Sequence, residues 1–295
     1  MRWLITGAHG QVGTDLQRVL AEASSQAATV RAVGSGELDI TDRAAIASTV
    51  ADFAPDVIIN AAAYTAVDAA ETDEDRAYAV NATGPALLAA EAARAGAKLV
   101  HISTDYVFAG DADSPYEVDA STDPRSAYGR TKLAGEQAVR ELAPEHGYVV
   151  RTAWVYGATG SNFVKTMAKL ERSHDTVSVV DDQRGSPTWS ADLARALVEL
   201  ARSDAPAGVY HCTNAGDTTW CGLTRAIFEE LGADPGRVLP TTSAAFPRPA
   251  PRPAFSVLGD KAWRAAGLTP LRDWREALHA SFEEAGEALR EHAER

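Results

Sequence analysis

Short apolar runs alternate with longer amphipathic segments along the first two thirds of the chain. The short runs predict strands and the segments with a helical apolar period predict helices. The run Asp56 to Asn60 is apolar without alternation, as expected for a strand buried on both faces of a parallel sheet. The predicted strands are 2–6, 29–33, 56–60, 98–103 and 148–151, and the helices between them are about 12–23, 43–53, 74–95 and 127–142. This order predicts an α/β fold with a Rossmann-type doubly wound parallel sheet.

Beyond Thr152 the pattern is less regular, and it predicts helices near 162–170, 190–202, 220–231 and 274–291. Between the last two, the segment Phe246 to Pro253 has proline at every second position from Pro247. One interpretation is a flexible linker. An ordered loop that carries Arg248 and Arg252 over a ligand is favoured, because a linker here would separate nothing able to fold alone.

Composition narrows the class of protein. Hydrophobic residues make up 45% and charged residues 23% of 295 residues, which indicates a globular chain. The net charge of -13 argues against a nucleic-acid binder. No apolar run is long enough for a membrane span, and glycine follows the N-terminus too early for a secretory signal, so we expect a cytoplasmic protein. Only Cys212 and Cys221 are present, which indicates reduced thiols rather than a disulfide framework.

A glycine-rich turn follows the first predicted strand. Gly7-Ala8-His9-Gly10-Gln11-Val12-Gly13 has the pattern G-x-x-G-x-x-G and opens a predicted helix. Glycine is needed where the chain turns tightly and where backbone approaches a diphosphate, and the helix N-terminus offers N–H groups to the anion. The position of this turn between a strand and a helix predicts dinucleotide binding.

The end of the second predicted strand is where an acidic residue commonly binds the ribose 2′-hydroxyl of NAD. Val33 to Gly36 contains no carboxylate, and Asp39 and Ile40 follow later, where we expect them to flank the adenine. A pocket without a repelling carboxylate can accept a 2′-phosphate, which favours NADPH. No arginine obviously takes the place of the carboxylate, so NADH stays possible.

Two further segments carry chemistry. Ser103 to Phe108 begins at the carboxyl end of the fourth predicted strand, where doubly wound sheets bind their ligands. Tyr128 and Lys132 are four residues apart on the next helix and therefore project from one face. A nearby ammonium lowers the pKa of a phenol, so Tyr128 is expected to act as a general acid or base.

Residues 7–13, 60–65, 103–108 and 128–132 together resemble the extended short-chain dehydrogenase/reductase family. Within it, the chain is most similar to the dTDP-4-dehydrorhamnose reductase family, on motifs within 62–71, 101–108 and 151–157 and further at 162–167 and 182–188. The resemblance covers essentially the whole chain and is strongest from Asn60 to Thr188.

The resemblance implies reduction of the C4 ketone of dTDP-4-dehydro-β-L-rhamnose to dTDP-β-L-rhamnose. Tyr128 would protonate the developing alkoxide, Thr104 would hydrogen-bond the carbonyl oxygen, and Lys132 would tune Tyr128 and bind the nicotinamide ribose. These three are the implied catalytic residues. The expected cofactor-binding residues are Gly7, Gly10, Gln11, Val12, Gly13, Asp39, Ile40, Ala62, Ala63, Tyr64, Tyr128 and Lys132.

The substrate is expected to contact Thr104, Asp105 and Trp154, since an aromatic plane suits a sugar or base face. Asn162 at a helix start and Arg252 in the proline-rich segment are the expected diphosphate ligands. We assign residues 1–152, with about 188–212, to an NADP(H)-binding Rossmann domain. A smaller mixed α/β substrate-binding lobe is assigned to about 153–187 and 213–295.

Some members of the family form dimers through acidic groups and a bound Mg²⁺. Possible contributors here are Asp15, Asp192, Glu287, Glu291 and Glu294, but an acidic terminal helix is ordinarily just solvated, so no metal ligand is assigned. The expected partner is the small-molecule sugar nucleotide, with no nucleic acid and no membrane, and the chain is either a monomer or a homodimer.

Three other functions stay open on the sequence. One is a 4-ketoreductase for another dTDP-deoxyhexose, as in antibiotic-sugar pathways. Another is a non-catalytic nucleotide-binding regulatory subunit, against which the intact set of Thr104, Tyr128 and Lys132 argues. A third is an epimerase with tightly held NAD.

Overall fold

The structure is a computed structural model that describes residues 1–22 and 28–290. Its strands are β1 (Arg2–Thr6), β2 (Thr29–Val33), β3 (Val57–Asn60), β4 (Lys98–Thr104), β5 (Gly147–Thr152), β6 (Val155–Tyr156), β7 (Val177–Val180), β8 (Arg184–Gly185), β9 (Thr188–Trp189), β10 (Gly208–His211), β11 (Thr218–Thr219) and β12 (Val238–Thr241). Its helices are α1 (Gln11–Glu22), α2 (Arg43–Phe53), α3 (Val67–Ala70), α4 (Glu74–Tyr78), α5 (Gly84–Ala95), α6 (Ala127–Leu142), α7 (Phe163–Ser173), α8 (Ser190–Arg202), α9 (Trp220–Glu230), α10 (Lys261–Ala265) and α11 (Trp274–Arg290).

Six parallel strands form the central sheet in the order β10-β5-β4-β3-β1-β2. The predicted α/β class with a Rossmann-type parallel sheet is confirmed. The strand order reverses at β1, whose neighbours are β2 and β3, and ligands of such sheets bind in the crevice at this point.

Burial on both faces explains why the strand sequences do not alternate. Trp3 and Ile5 on β1 pack into one core with α1 and α8, whereas Leu4 between them packs into the opposite core with α2 and α5. All three side chains are fully buried. Each such side chain contributes about 1.5–3 kcal/mol to folding, so both faces of the sheet need apolar residues.

The predicted helix 74–95 is interrupted in the structure. α4 runs into a π-helical turn, Ala79–Thr83, before α5 begins at Gly84. Pro85 explains the widening, because its ring would clash with the carbonyl group of Asn81 in a regular α-helix. Gly96 ends α5 in the left-handed conformation, as its position predicts.

The later part of the chain contains more strand than the sequence indicated. β10 joins the central sheet beside β5, and three small ladders pair β6 with β9, β7 with β12, and β8 with β11. A separate hydrophobic core lies beneath α7, α9 and α11. The predicted helix ends at Ala23 and Glu291 lie outside the described residues, and α11 has a kink at Ala285.

The proline-rich segment is ordered against the rest of the protein. Phe255, just after it, forms bridges with Asp111 and with Arg184. Pro253 lies so close to Gly110 that a Cβ on that glycine would be 2.4 Å away, and Ala250 is buried. We call residues 246–258 the strap. No helix in the described part of the chain is long and apolar enough to cross a lipid bilayer.

Candidate active site

The glycine turn between β1 and α1 lies against the backbone that follows β3. Gly7 has a φ of 72°, and a Cβ added there would lie 2.6 Å from the backbone of Ala61. A Cβ on Gly13 would lie 2.1 Å from the carbonyl oxygen of Gly7. A side chain at either position would push α1 away from the sheet, at the point where the strand order reverses.

The first turn of α1 has free hydrogen-bond donors. Within residues 1–22 and 28–290, the N–H groups of Gln11, Val12 and Gly13 donate to no acceptor. Free N–H groups at the positive end of a helix dipole are the donors that bind a diphosphate. These residues therefore fit the diphosphate of a dinucleotide.

The end of β2 carries a carboxylate after all. Glu37 turns back, accepts a hydrogen bond from the N–H of Gly34 at 2.8 Å, and lies 3.7 Å from the ring of His9. The sequence places Glu37 three residues beyond Gly34, so its return to the strand end was not expected. The Glu37 side chain remains 60% exposed, so water screens its charge.

Asp39 and Ile40 follow this turn but differ in exposure. Asp39 is exposed, and hydrogen bonds from the N–H and the hydroxyl of Thr41 hold the pKa of its carboxyl below the usual range. Ile40 is buried and packs on Gly84, at the start of α5. Only Asp39 of the two therefore has polar atoms facing solvent, and contact with adenine stays a prediction for both.

Two buried asparagines fix the turn after β3, and the sequence analysis singled out neither for this role. Asn60 accepts from the Thr6 hydroxyl at 2.7 Å and from the N–H of Ala62 at 3.2 Å. Asn81 accepts from the N–H of Tyr64 at 2.8 Å and donates to the hydroxyl of Thr131 on α6 at 3.1 Å. The segment that contains Ala62, Ala63 and Tyr64 is thereby fixed both to β1 and to the helix of Tyr128.

Thr104 is the last residue of β4 and lies where the sequence predicted. Its hydroxyl donates to the carboxylate of Asp105 at 2.9 Å and accepts from the N–H of Tyr106 at 3.2 Å. Asp105 is buried, and burial raises the pKa of its carboxyl to about 6, against the opposing effect of the Ser256 and Thr104 hydroxyls. Its second oxygen has no hydrogen-bond partner within the described residues.

Tyr128 lies beside this strand end, with its ring edge-on to Tyr106 at 5.6 Å between centroids. Ser126 caps the helix by accepting from the N–H of Gly129. Burial, with a smaller contribution from the Asp105 carboxylate, raises the pKa of Tyr128 to about 12, while contact with Thr104 acts in the opposite direction. The expected lowering of this pKa is therefore wrong for this structure, because desolvation of the phenolate is the largest effect on it.

Lys132 projects from the same face of α6 one turn later and is buried. Its ammonium group donates to the carbonyl oxygen of Ile102 on β4 at 2.7 Å. Burial lowers the pKa of Lys132 to about 8, and the carboxylate of Glu136 opposes this shift. The structure thus brings Thr104, Tyr128 and Lys132 together at the carboxyl end of β4.

Trp154 follows β5, the strand next to β4, and has a φ of 47°, unusual for a residue other than glycine. Its ring stacks on Trp220 with 3.5 Å between centroids and 6° between planes. Gly185 lies so close to the indole that a Cβ there would be 2.5 Å away. At least one face of Trp154 is therefore occupied by protein, and contact of its ring with a sugar stays a prediction.

Asn162 and Arg252 both make protein contacts in the structure. Asn162 caps α7 by accepting from the N–H of Lys165, and its amide donates to the side-chain oxygen of Gln11 at 3.0 Å. Arg252 forms an ion pair with Asp68 on α3 at 2.9 Å. Asn162 thereby touches the first turn of α1, whereas Arg252 lies on the strap, beside a cavity that Tyr106 also lines.

No group of three or more metal-binding side chains is found in the part of the chain that the structure describes. Asp15 contacts Ser190 and Arg18, whereas Asp192 is bound by Arg195 and Arg272. Glu287 lies on α11, and Glu291 and Glu294 fall outside the described residues. Nothing in these contacts favours the Mg²⁺ site that the sequence left open.

Comparison with known proteins gives full-length matches. The family model described as RmlD substrate binding domain matches residues 1–286. The dTDP-4-dehydrorhamnose reductase of Streptomyces griseus is 54% identical over 285 residues, which is 95% of this chain and 93% of that protein. A probable dTDP-4,6-dihydroxy-2-methyloxan-3-one 4-ketoreductase of Streptomyces antibioticus is 53% identical over 284 residues, 96% of this chain and 95% of that protein.

A solved structure gives the matching result for the fold. The dTDP-4-dehydrorhamnose reductase of Bacillus anthracis, in complex with NADP, superposes with a TM-score of 0.91 and 39% identity. The match covers 96% of this chain and 99% of that one. The resemblance that the sequence motifs indicated is therefore confirmed.

Proposed function

The chain belongs to the RmlD substrate binding domain family, and from this membership we propose that it reduces the C4 ketone of dTDP-4-dehydro-β-L-rhamnose to dTDP-β-L-rhamnose with NADPH. It is an oxidoreductase that acts on a 4-keto sugar nucleotide. The observation that carries the finer proposal is the meeting of Thr104, Tyr128 and Lys132 at the carboxyl end of β4.

NADPH, when bound, supplies the hydride for the ketone carbon. Gln11, Val12 and Gly13 would bind its diphosphate through the free N–H groups of α1, and Gly7 lets the turn approach closely. Lys132 would bind the ribose hydroxyls beside the nicotinamide. The NADP complex of the Bacillus anthracis protein supports NADPH over NADH, while Glu37 at the end of β2 works against a 2′-phosphate.

Tyr128 would protonate the ketone oxygen as it gains negative charge. A pKa of about 12 keeps its phenol protonated at neutral pH, which is the form a proton donor needs. Once the proton has left, the ammonium group of Lys132 stabilises the phenolate, and a solvent proton restores the phenol. Thr104 hydrogen-bonds the same oxygen and holds it in line with Tyr128.

The remaining site residues would contact the substrate in this proposal. Asp105 and Trp154 would border the sugar, and Asn162 and Arg252 would bind its diphosphate. Arg252 would then exchange the carboxylate of Asp68 for a phosphate oxygen, which offers the guanidinium the same planar geometry. The assignment of residues 1–152 with 188–212 to cofactor binding, and of the rest to substrate binding, forms part of the proposal.

A coupled assay with product analysis tests the function. The protein is mixed with dTDP-4-dehydro-6-deoxyglucose, a 3,5-epimerase and NADPH, and the sugar released from the product is identified. We expect loss of NADPH absorbance in proportion to substrate and 6-deoxy-L-mannose as the product. Absence of NADPH oxidation would overturn reductase activity and leave the non-catalytic subunit. Isomerisation of the sugar nucleotide by this protein alone, with the 3,5-epimerase left out and no net oxidation, would indicate an epimerase.

A second candidate within the same chemistry is a 4-ketoreductase for another dTDP-deoxyhexose. The Streptomyces antibioticus relative favours it, because its identity of 53% is nearly that of the rhamnose-pathway relative at 54%. In the assay this candidate predicts faster NADPH oxidation when the 3,5-epimerase is replaced by an enzyme that delivers a different 4-keto sugar.

A further inference from the structure

A buried ion pair lies directly beneath the face of α6 that carries Tyr128 and Lys132. Glu136 is 1% exposed and Arg151 is 3% exposed. The two Glu136 oxygens accept from Nε of Arg151 at 2.9 and 3.1 Å, and Nη2 of Arg151 donates at 2.7 Å. Such a pair is costly to desolvate and is weak evidence for stability, which points to a role other than stabilising the fold.

Glu136 also binds the strand that carries Thr104. The Ser103 hydroxyl donates to Glu136 Oε1 at 2.6 Å. Ser103 directly precedes Thr104 on β4, and Arg151 lies on the neighbouring strand β5. One carboxylate therefore joins α6 to the ends of two strands.

The spacing along α6 places Glu136 in line with the proposed acid. Tyr128, Lys132 and Glu136 are each four residues apart, so they form one stripe on the helix. Any rotation or slide of α6 against β4 would move Tyr128 relative to Thr104. The three donors on Glu136 fix this relation from the end of the stripe that lies deepest in the protein.

Glu136 also determines the charge near Lys132. Burial lowers the pKa of Lys132 to about 8, and Glu136 is the group that opposes the shift. The other titratable groups at this face are His101, Tyr128, Asp105 beside Tyr128, and Arg151, which contacts His211. Burial and Lys132 keep the pKa of His101 well below its usual value. His101 and Tyr128 are uncharged at neutral pH, and Asp105 acts on Tyr128, so Glu136 is the carboxylate that acts on the pKa of Lys132.

We propose that Glu136 is a positioning residue of this active site, which holds Tyr128 against Thr104 through Ser103 and Arg151 and keeps Lys132 in its ammonium form. The inference rests on the proposed function for its kinetic part. Its electrostatic part, the effect of Glu136 on the charge of Lys132, can be tested on the protein without substrate or cofactor.

The first test titrates Lys132 directly. The chain has five lysines, so selective ¹³C labelling of lysine side chains gives few NMR signals, and Lys132→Met identifies the one of interest. We expect Glu136→Gln to lower the titration midpoint of Lys132 by about one pH unit, because the negative charge of the Glu136 carboxylate favours the ammonium form. An unchanged midpoint in folded Glu136→Gln would overturn the electrostatic part.

A matched control lies on the same helix. Glu74 pairs with Arg130 of α6 at 2.8 Å, but both side chains are nearly half exposed. Glu74→Gln should leave the Lys132 midpoint and the rate of reduction unchanged. An equal shift in Glu74→Gln would mean that any carboxylate near α6 has this effect, which overturns the assignment to Glu136.

The second test is kinetic and separates position from charge. Ser103→Ala keeps the ion pair but releases β4, so we expect kcat to fall about tenfold with KM for NADPH within about twofold. Glu136→Asp keeps the charge but withdraws it by one methylene, so it should lower kcat while the Lys132 midpoint stays. Unchanged kcat in both variants would overturn the positioning part, and Ser103→Ala decides the matter if Glu136 variants do not fold.

The pH profile provides a third readout. Activity that needs the ammonium form is lost as pH rises through the pKa of Lys132, so the alkaline limb should lie near pH 8 in the native protein and about one unit lower in Glu136→Gln. A merely structural role would lower stability without moving the limb, and that result would overturn the proposal. If the native protein does not oxidise NADPH with the sugar nucleotide, the proposed function fails, and the lysine titration still decides the electrostatic part.

Discussion

Two arginine–carboxylate pairs flank the proposed site, and they differ in burial rather than in chemistry. The pair of Arg151 with Glu136, beneath α6, has side chains only 4% and 2% exposed. The side chains of Arg252 on the strap and Asp68 on α3 are 22% and 33% exposed. A buried pair is costly to break because it leaves an unpaired charge in the protein, while a partly hydrated pair contributes little to stability.

The difference indicates what each region can do. The buried pair has additional donors and acceptors on every side, including Ser103 and His211, so it can fix geometry but cannot change partners. The pair of Arg252 and Asp68 is partly exposed, and under the proposed function Arg252 exchanges Asp68 for the phosphate of the substrate. The side with the buried pair is thus rigid, and under the proposed function the side with the partly exposed pair binds an anion.

The largest effect on kcat is expected at Tyr128, which lies on the side of the site that holds the buried ion pair. Tyr128→Phe removes the proposed proton donor and should lower kcat about 10²- to 10⁴-fold, with little change in NADPH affinity, because the ring and its packing stay. Steady-state kinetics and a fluorescence titration with NADPH measure both quantities. If the variant retained full activity, the proton would have to come from another group.

The next largest effect is expected on the free energy of unfolding, for which the two ion pairs can be compared directly. Arg151→Met should lower the free energy of unfolding by about 3–5 kcal/mol, because Glu136 is left buried without its partner. Arg252→Met should lower it by less than about 1 kcal/mol. Urea denaturation followed by circular dichroism measures both, and equal losses would break the distinction between the two regions.

Substitutions in the strap should affect binding of the sugar nucleotide more than the free energy of unfolding. Arg252→Ala is expected to raise KM for the sugar nucleotide about tenfold, the effect of losing one charge-assisted hydrogen bond, with KM for NADPH unchanged. Arg248→Ala, in the same segment but exposed, should change it about twofold at most. An unchanged KM in Arg252→Ala would remove this residue from the substrate site.

The smallest effect is expected at Glu37, a carboxylate that is mostly exposed to water. Glu37→Gln removes a negative charge from the end of β2 and should raise the preference for NADPH over NADH about threefold, since charges in water interact weakly. Competition of the two cofactors in the reductase assay measures this ratio. A preference that moved towards NADH would show that Glu37 does not face the 2′-phosphate.

The parts of the fold that sequence could predict follow from local rules. A strand covered on both faces needs an unbroken apolar run, so β1 and β3 could be recognised from composition alone. Tyr128 and Lys132 could be paired because a helix brings positions four apart to one face. Glu136 continues the same spacing, and a search for a third polar residue on that stripe would have found it.

Other contacts depend on segments that meet only in the folded chain. Asp68 and Arg252 are far apart in sequence, and nothing near either residue indicates the other. Glu37 reaches Gly34 through a turn whose direction the pattern does not encode. The lowered pKa expected for Tyr128 was wrong because the burial of a phenol depends on distant residues such as Tyr106, which local spacing cannot reveal.

At the π-helical turn Ala79–Thr83, the fold depends on how many residues the turn contains as well as on which residues they are. Removal of one residue there would rotate α4 by about 100° relative to α5. The amide of Asn81 could then no longer reach both Tyr64 and Thr131. Single-codon deletions within this turn should therefore abolish function as completely as changes to the active site, although Ala79 and Val80 are only partly buried and should accept substitutions.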